Sequence, residues 1–340
     1  MPSSVGLDTL PGQQAAAVSS MTYAEAVRAA LRRCLTQFPE TLFYGEDVAK
    51  PGGVFGVTRG LRRDFGDRVF DTPISESAIL GSAVGAAMLG RRPIVEIMWA
   101  DFSLVAFDQI VNQLANVRYV SRGELTAPVV IRTQQGTAPG ACAQHSQSLE
   151  ALFLHIPGIR VCMPRTAQDA YDLLTAAVAS DDPVVVIENR SLYHGERQDV
   201  RVDGPVPAIG GIRTRREGTD ATVVTWGAMT DRVIEAADNL AGEQISIEVL
   251  ETPWLNPLPT QAILASAQRT GRLAVVHEAN VTGGFGAEIV SRVAESGLAL
   301  RSPATRLGLP DTRVPAAPSL VESLVPGAEA IAAALRELTA

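Results

Sequence analysis

The sequence predicts an α/β fold in two units, each a mainly parallel sheet with helices on both faces. Three observations point there. Short apolar runs alternate with helical stretches from Thr22 to the C-terminus, which is the rhythm of parallel sheets. A chain of 340 residues is too long for one ordinary core. The stretch Gly195 to Gly218 carries Pro, Gly and many charges with little periodicity, as an inter-domain connection does. The expected organisation is a tail over 1–20, a first domain over 21–196, a linker over 197–218 and a second domain over 219–340.

The elements follow in order. The first twenty residues are small and polar, with no basic start and no apolar stretch, and read as a disordered tail rather than a signal peptide. Thr22 with Glu25 forms a capping box that opens a helix to about Gln37. Thr41 to Tyr44 is a short buried strand, and Val69–Phe70 leads into a turn. Pro93 to Met98 is a strand, and Phe102 to Tyr119 has helical spacing. Val129 to Arg132 is a strand, followed by a Gly-containing loop from Gln134 to Gly140 and a helix from Ser146 to Leu154. Ile159 to Met163 is a strand, Thr166 to Asp169 caps a further helix, and Pro183 to Glu188 is the last strand of the first unit. In the second unit the strands are Thr222–Trp226, Ile245–Leu250, Leu273–His277 and Ala304–Leu307. Its helices are Met229–Leu240, Thr260–Ala267, Gly286–Glu295 and Gly327–Leu338.

The most informative stretch runs from Asp71 to Ala87. Pro73 cannot sit inside a helix, so a helix begins near Ser75 and Glu76 lies in its first turn. Gly81 and Gly85 stand one turn apart among Ala and Ser, a face that a second backbone can approach closely. Together they suggest a catalytic acid beside a helix-packed subunit interface. The plain alternative is a glutamate that only complements the helix dipole. Glu46, Glu76, the Met98–Phe102 segment and the loop before His145 all follow strand ends, where α/β folds gather binding residues.

Composition excludes several classes. A net charge of -8 with scattered arginines argues against a nucleic-acid partner. No apolar run is long enough to span a bilayer. The three cysteines Cys34, Cys142 and Cys162 lack metal-ligand spacing, which fits a reduced, cytoplasmic protein. Cys142 lies near His145, yet no activating pattern marks it as a nucleophile. There is no Walker loop, no Rossmann fingerprint and no Asp-rich magnesium clamp; Gly283-Gly-Phe-Gly286 reads as a tight turn. If this chain handles a phosphorylated cofactor, another chain must hold the phosphates.

Ordered motifs then carry a resemblance. They are Gly45-Glu-Asp-Val48, Gly53-Val-Phe55, Asp71-Thr-Pro-Ile-Ser-Glu76, Arg92-Pro-Ile-Val-Glu96, Asp108-Gln-Ile-Val-Asn112, Ala143-Gln-His-Ser-Gln-Ser148, Asp182-Pro-Val-Val185 and Val276-His-Glu-Ala279. From about Thr22 onward the chain resembles the β subunit of the E1 component of 2-oxo acid dehydrogenase complexes, the group of pyruvate, branched-chain 2-oxo acid and acetoin dehydrogenase E1 β chains. The resemblance implies a transketolase-like pyrimidine-binding domain followed by a transketolase C-terminal-like domain. It also implies an α2β2 heterotetramer with thiamine diphosphate between subunits and magnesium held by the α chain. A lipoyl acyltransferase or carrier protein would receive the acyl group.

By position, the resemblance assigns Glu76 to the aminopyrimidine nitrogen N1′, where a shared proton prepares the cofactor for attack on the 2-oxo carbon. It places Phe102, Met98 and Ile74 around the aminopyrimidine, Glu46 near the cofactor, and His145 at the channel mouth. It also implies a potassium site on the backbone carbonyls of Val129, Ala177, Val178, Ser180 and Asp182. Two departures stand out. Glu251-Thr-Pro-Trp-Leu-Asn-Pro257-Leu-Pro259 lacks the family's Arg and final Asp, and the loop Gln134 to Cys142 is unlike the family's versions. Two other readings remain open here: a split transketolase-like enzyme that passes a two-carbon unit to a carrier protein, and a non-catalytic scaffold.

Overall fold

The computed structural model describes residues 17–138 and 140–340. The first unit runs β1 (Val18–Met21), α1 (Tyr23–Gln37), β2 (Thr41–Gly45), α2 (Leu61–Phe65), β3 (Val69–Asp71), α3 (Glu76–Met88), β4 (Arg92–Ile97), α4 (Val117–Val120), β5 (Val130–Gln135), α5 (Glu150–Leu154), β6 (Arg160–Cys162), α6 (Ala167–Ala179) and β7 (Val184–Asn189). Then come β8 (Gln198–Arg201) and β9 (Arg213–Arg216). The second unit continues with β10 (Ala221–Thr225), α7 (Met229–Ala241), β11 (Ile247–Glu251), β12 (Trp254–Asn256), α8 (Thr260–Thr270), β13 (Leu273–Asn280), α9 (Gly286–Glu295), β14 (Thr305–Leu309), α10 (Pro318–Leu324) and α11 (Ala328–Thr339).

Two sheets carry the molecule. The first has the order β12-β6-β7-β5-β4-β2-β3, parallel throughout except for β12. The second has the order β14-β13-β10-β11-β9, parallel except for its edge strand β9. Both capping boxes form. Thr22 N–H donates to Glu25 at 3.0 Å to start α1, and Thr166 N–H donates to Asp169 at 3.0 Å to start α6. These two helices pack against each other and cover one face of the first sheet, with Leu31, Leu35, Leu174 and Ala177 fully buried between them and the strands.

The structure departs from the sequence reading in four places. Residues 1–16 of the expected tail lie outside the described residues, and Val18 to Met21 form a strand paired antiparallel with β8. The expected linker thus carries two strands, β8 and β9, whose charged and exposed residues conceal them. Phe102 to Tyr119 is not one helix. It is a 3₁₀ stretch over Ala100–Ala106, a π-turn over Gln109–Gln113, a 3₁₀ turn over Leu114–Asn116 and the single turn α4. Asn116 Nδ2 donates to the Val111 and Asn112 carbonyls there, competing with the regular ladder. Last, the helix expected from Ser146 begins only at Glu150.

α3 starts at Glu76 with Ser75 as its cap residue, as Pro73 requires. Of the two small positions on it, Gly81 faces the chain's own π-turn. A Cβ there would stand 3.3 Å from Gln109 Oε1, while Gly85 meets nothing within 4 Å. One of the two glycines therefore serves packing within this chain.

Candidate functional site

Several strand ends of the first sheet open onto one rim. Gly45 ends β2 at a point where a Cβ would lie 2.6 Å from the Glu96 carbonyl, so only glycine lets β2 and β4 come this close. Glu46 follows at once. Asp71, at the end of β3, accepts from the Ala49 and Lys50 N–H groups at 2.6 and 3.0 Å and pins the loop after Glu46. Glu76 then opens α3. It is 8% exposed, and its carboxylate makes no hydrogen bond or ion pair among the described residues. Burial, then the neighbouring Glu76 and Asp47 carboxylates, push the Glu46 carboxyl above its ordinary range. The two acids thus share one electrostatic environment.

A second group surrounds His145. The cleft is about 610 Å³ and is lined by Phe55, Trp99, Cys142, His145 and Arg190, with Thr137, Ala138, Gly140 and Ala141. His145 meets two rings edge-on, Phe102 at 5.2 Å and Trp99 at 5.7 Å between centroids. Phe55 packs on Trp99 at 5.7 Å and on Tyr193 at 4.9 Å. Arg190 lies over Trp99 at 4.7 Å, and burial lowers its pKa from the usual arginine range. The Cys142 thiol donates to Gln144 Oε1 at 2.8 Å rather than to His145.

Beneath the rim runs a buried charge ladder. Glu96 on β4 and Arg132 on β5 are register partners, and Glu188 on β7 lies two residues beyond Arg132's own partner Val186. Arg132 grips Glu188 bidentately at 2.6 and 2.8 Å and also pairs with Glu96. Tyr193 joins it, donating to Glu188 at 2.5 Å. Burial raises the Glu96 carboxyl despite Arg132.

The second unit closes on the same region. Glu278, on β13, accepts from Thr137 N–H at 2.7 Å and from Asn189 Nδ2 at 2.7 Å. Arg313 donates to Gln147 at 3.1 Å, and Gln147 donates to Asp101 at 2.9 Å. Buried Glu150 accepts from Gln135 at 2.9 Å and from the Trp226 indole at 3.3 Å. His277 stacks on Trp226 at 5.3 Å.

The structure brings the sequence-derived residues into two neighbouring groups. Glu46 and Glu76 form one; His145 with Phe102 forms the other. Glu46, Ile74, Glu76 and Met98 do not line the His145 cleft. Met98 is half-buried at the end of β4, whereas Ile74 is 82% exposed and packs in no core. Sequence reasoning missed Trp99, Arg190 and Glu278 as site residues. Glu278 stood inside the Val276–Ala279 motif, but the other two gave no periodic signal. A larger groove, about 1200 Å³, lies elsewhere, lined by Leu114, Tyr119, Ile159, Asp182 and Pro257 among others. The two acids and the histidine are far better equipped for chemistry than that groove.

The five carbonyls expected to hold potassium do not form a free cradle. Arg92 Nη1 donates to the Val178 and Ser180 carbonyls at 2.8 and 2.9 Å. Those of Val129 and Ala177 accept from Val184 and Ser180 N–H groups, and that of Asp182 accepts from the Ser180 hydroxyl. A guanidinium already supplies the positive charge, so this donor set does not fit a further cation as arranged. Among the described residues no three His, Cys, Asp or Glu side chains come together as a metal site. None of the described helices is long and apolar enough to cross a membrane. The aminopyrimidine of thiamine diphosphate fits better: a buried, unpartnered carboxylate at Glu76 is the donor set a ring nitrogen needs.

Comparison with known proteins gives the following. Residues 19–196 match the transketolase pyrimidine-binding domain and residues 210–331 the transketolase C-terminal domain. The chain is 41% identical over 323 residues to the β subunit of acetoin:2,6-dichlorophenolindophenol oxidoreductase of Cupriavidus necator, covering 92% of this chain and 95% of that one. It is 40% identical over 300 residues to the pyruvate dehydrogenase E1 component β subunit of Bacillus subtilis, covering 88% and 92%. The 2-oxoisovalerate dehydrogenase β subunit of the same organism is 37% identical, covering 94% and 99%. Among solved structures, a split-gene transketolase in an inactive β4 tetramer superposes with a TM-score of 0.74 at 23% identity, covering 94% of this chain and 99% of that one. That likeness speaks to the fold alone.

Proposed function

This chain belongs to the transketolase-like family of E1 β subunits of 2-oxo acid dehydrogenases, and from that premise we propose how it acts. It is the β subunit of a thiamine-diphosphate-dependent enzyme that decarboxylates a 2-oxo acid and passes the acyl group to a lipoyl carrier. The observation that carries this reading is Glu76: a glutamate at the first position of a helix, 8% exposed, with its carboxylate left without a protein partner. A carboxylate in that state is free to accept a hydrogen bond from a ligand.

The cofactor, when bound, supplies the electron sink for decarboxylation. Glu76 holds a proton at the aminopyrimidine nitrogen N1′, and the low dielectric around it strengthens that contact. Glu46, whose carboxyl is raised above its ordinary range by burial and by the Glu76 and Asp47 charges, stands beside it as a second acid. Phe102, which meets His145 edge-on at 5.2 Å, would back the heterocycle, and the His145 imidazole would hold or deliver a proton at the cleft. Trp99 and Phe55 exclude water from that wall. Magnesium and the diphosphate are assigned to an α subunit in an α2β2 assembly, with a lipoyl acyltransferase as acceptor and the cytoplasm as location. Potassium is left out, because Arg92 already donates to two of the five carbonyls, those of Val178 and Ser180.

The two-carbon-transfer reading draws on fold likeness alone, and a scaffold would have no use for a buried unpartnered Glu76. The test is Glu76→Gln in the reconstituted α/β complex. The variant should assemble normally by sedimentation, yet lose turnover about a hundredfold or more, the usual range for losing a positioned acid. Exchange of the thiazolium C2 proton, followed by NMR, should slow in parallel. Unimpaired exchange in the variant would remove Glu76 from the mechanism.

A further inference from the structure

The cleft beside His145 holds a cation, Arg190, that forms no ion pair with a carboxylate of the described residues. Arg190 follows β7 in a 3₁₀ turn and is 8% exposed. One of its nitrogens, Nη2, donates to the Gly136 carbonyl. Its Nε is buried and has no acceptor among the described residues. The acids that pull on it most, Glu278 and Asp101, act from beyond ion-pair distance. Glu278 accepts from Thr137 and Asn189, and Asp101 accepts from Gln147 through Oδ1 while its Oδ2 has no partner among the described residues. A desolvated guanidinium with no directly paired carboxylate leaves donors for a ligand to complete. Its planar fork matches a carboxylate better than any other group.

Trp99 sets the position of the charge. Its ring carries Arg190 at 4.7 Å and meets His145 edge-on at 5.7 Å, so one indole holds both groups along one wall of the cleft. Building on the reading of this chain as a 2-oxo acid dehydrogenase subunit, we propose that Arg190 is the anion-recognising residue of the donor cleft and binds a carboxylate of the incoming acid. A neutral acyloin gains nothing from this contact, so Arg190 selects acids over acyloins. The bound carboxylate is either the one that leaves as carbon dioxide or a second one at the far end of the donor. The two sources differ kinetically. Stabilising the departing carboxylate favours the ground state and restrains kcat, whereas holding a remote one does not.

The test compares pyruvate, 2-oxoglutarate and acetoin as donors for the reconstituted α/β complex loaded with cofactor. Arg190→Leu should lower the ratio of kcat/KM for acid to that for acetoin by about tenfold to a hundredfold, chiefly through KM, as loss of a charge-assisted pair does. Arg190→Lys should recover part of the ratio. A loss on pyruvate with kcat held or raised identifies the departing carboxylate, and a loss confined to 2-oxoglutarate identifies a second one. Equal losses for acetoin and acids would make Arg190 a mere support for Gly136 and overturn the proposal, as would an unchanged ratio. Should the complex turn over none of the three donors, the functional reading fails separately. Tryptophan emission titrated with pyruvate and with 2-oxoglutarate then decides. A saturable change lost in Arg190→Leu sustains the anion site, and no such change, or the same change in the variant, refutes it.

Discussion

Glu76 and His277 are both buried, in unlike settings. Glu76 is 8% exposed and its carboxylate makes no hydrogen bond among the described residues. His277 is fully buried, donates from Nδ1 to the Ala279 carbonyl at 3.1 Å, and leaves Nε2 with no partner among the described residues. Gly284, Gly286 and Gly308 close around it, each so near that a Cβ would come within 2.9 Å of the ring. Burial pulls its pKa from 6.5 down to about 4. Above pH 6.5 the imidazole is neutral folded or unfolded, and its contribution to stability is complete. Between those two values the unfolded chain takes the proton first, so stability falls as pH falls, by at most about 3 kcal/mol. Raised carboxyls such as Glu96 and Glu150 work the other way, gaining stability as they protonate. The difference between the native chain and His277→Gln therefore isolates the imidazole. Urea midpoints measured from pH 7 to pH 4 should show a shallower acid loss in the variant. Arg132→Met, by contrast, strands two buried carboxylates. It should destabilise the fold by about 3–5 kcal/mol at neutral pH, with partial recovery in the double variant that adds Glu188→Gln.

At the scale of elements, legibility followed locality. The buried parallel strands could be read directly: Val184 to Asn189 is apolar until its last two residues and lies wholly inside. α1 and α6 announced themselves through Thr22–Glu25 and Thr166–Asp169, contacts between residues three apart. The segment after β4 could not be read. Its apolar spacing suits a helix, but Asn112 and Asn116 bend the backbone into a π-turn that spacing does not encode. The short strands β1, β8 and β9 are mostly exposed or half-buried, and β8 and β9 are charged, so none shows an apolar run. Of the site, Glu76 was legible from Pro73 and the helix start. The Trp99–His145–Arg190 wall was not, because it joins residues 46 and 91 positions apart along the chain, on the arithmetic 145 − 99 and 190 − 99. Ile74, an apolar residue inside the same motif as Glu76, is 82% exposed in this chain.

For the whole molecule, the two units are tied more closely than the sequence division suggests. β12, from the stretch where the chain departs from its family's pattern, leaves the second unit and pairs antiparallel with β6. Asn256 Nδ2 donates to the Ile159 carbonyl at 2.6 Å and Met163 N–H donates to the Pro253 carbonyl at 2.9 Å. Arg165 and Arg215 both pair with the buried Glu251. Residues 1–196 expressed alone should therefore be aggregation-prone, because β6 becomes a bare sheet edge. Size-exclusion chromatography should find multimers, and co-expression of residues 197–340 should reduce them. A monodisperse, cooperatively unfolding fragment would refute this.

The borrowed strand also has a consequence in time. A ribosome that has finished the first half of this protein has not yet made the segment that seals its outermost seam. The nascent first half must wait, with Cys162 and its neighbours uncovered, until roughly three-quarters of the chain exists. Chaperone demand during synthesis should peak in that interval.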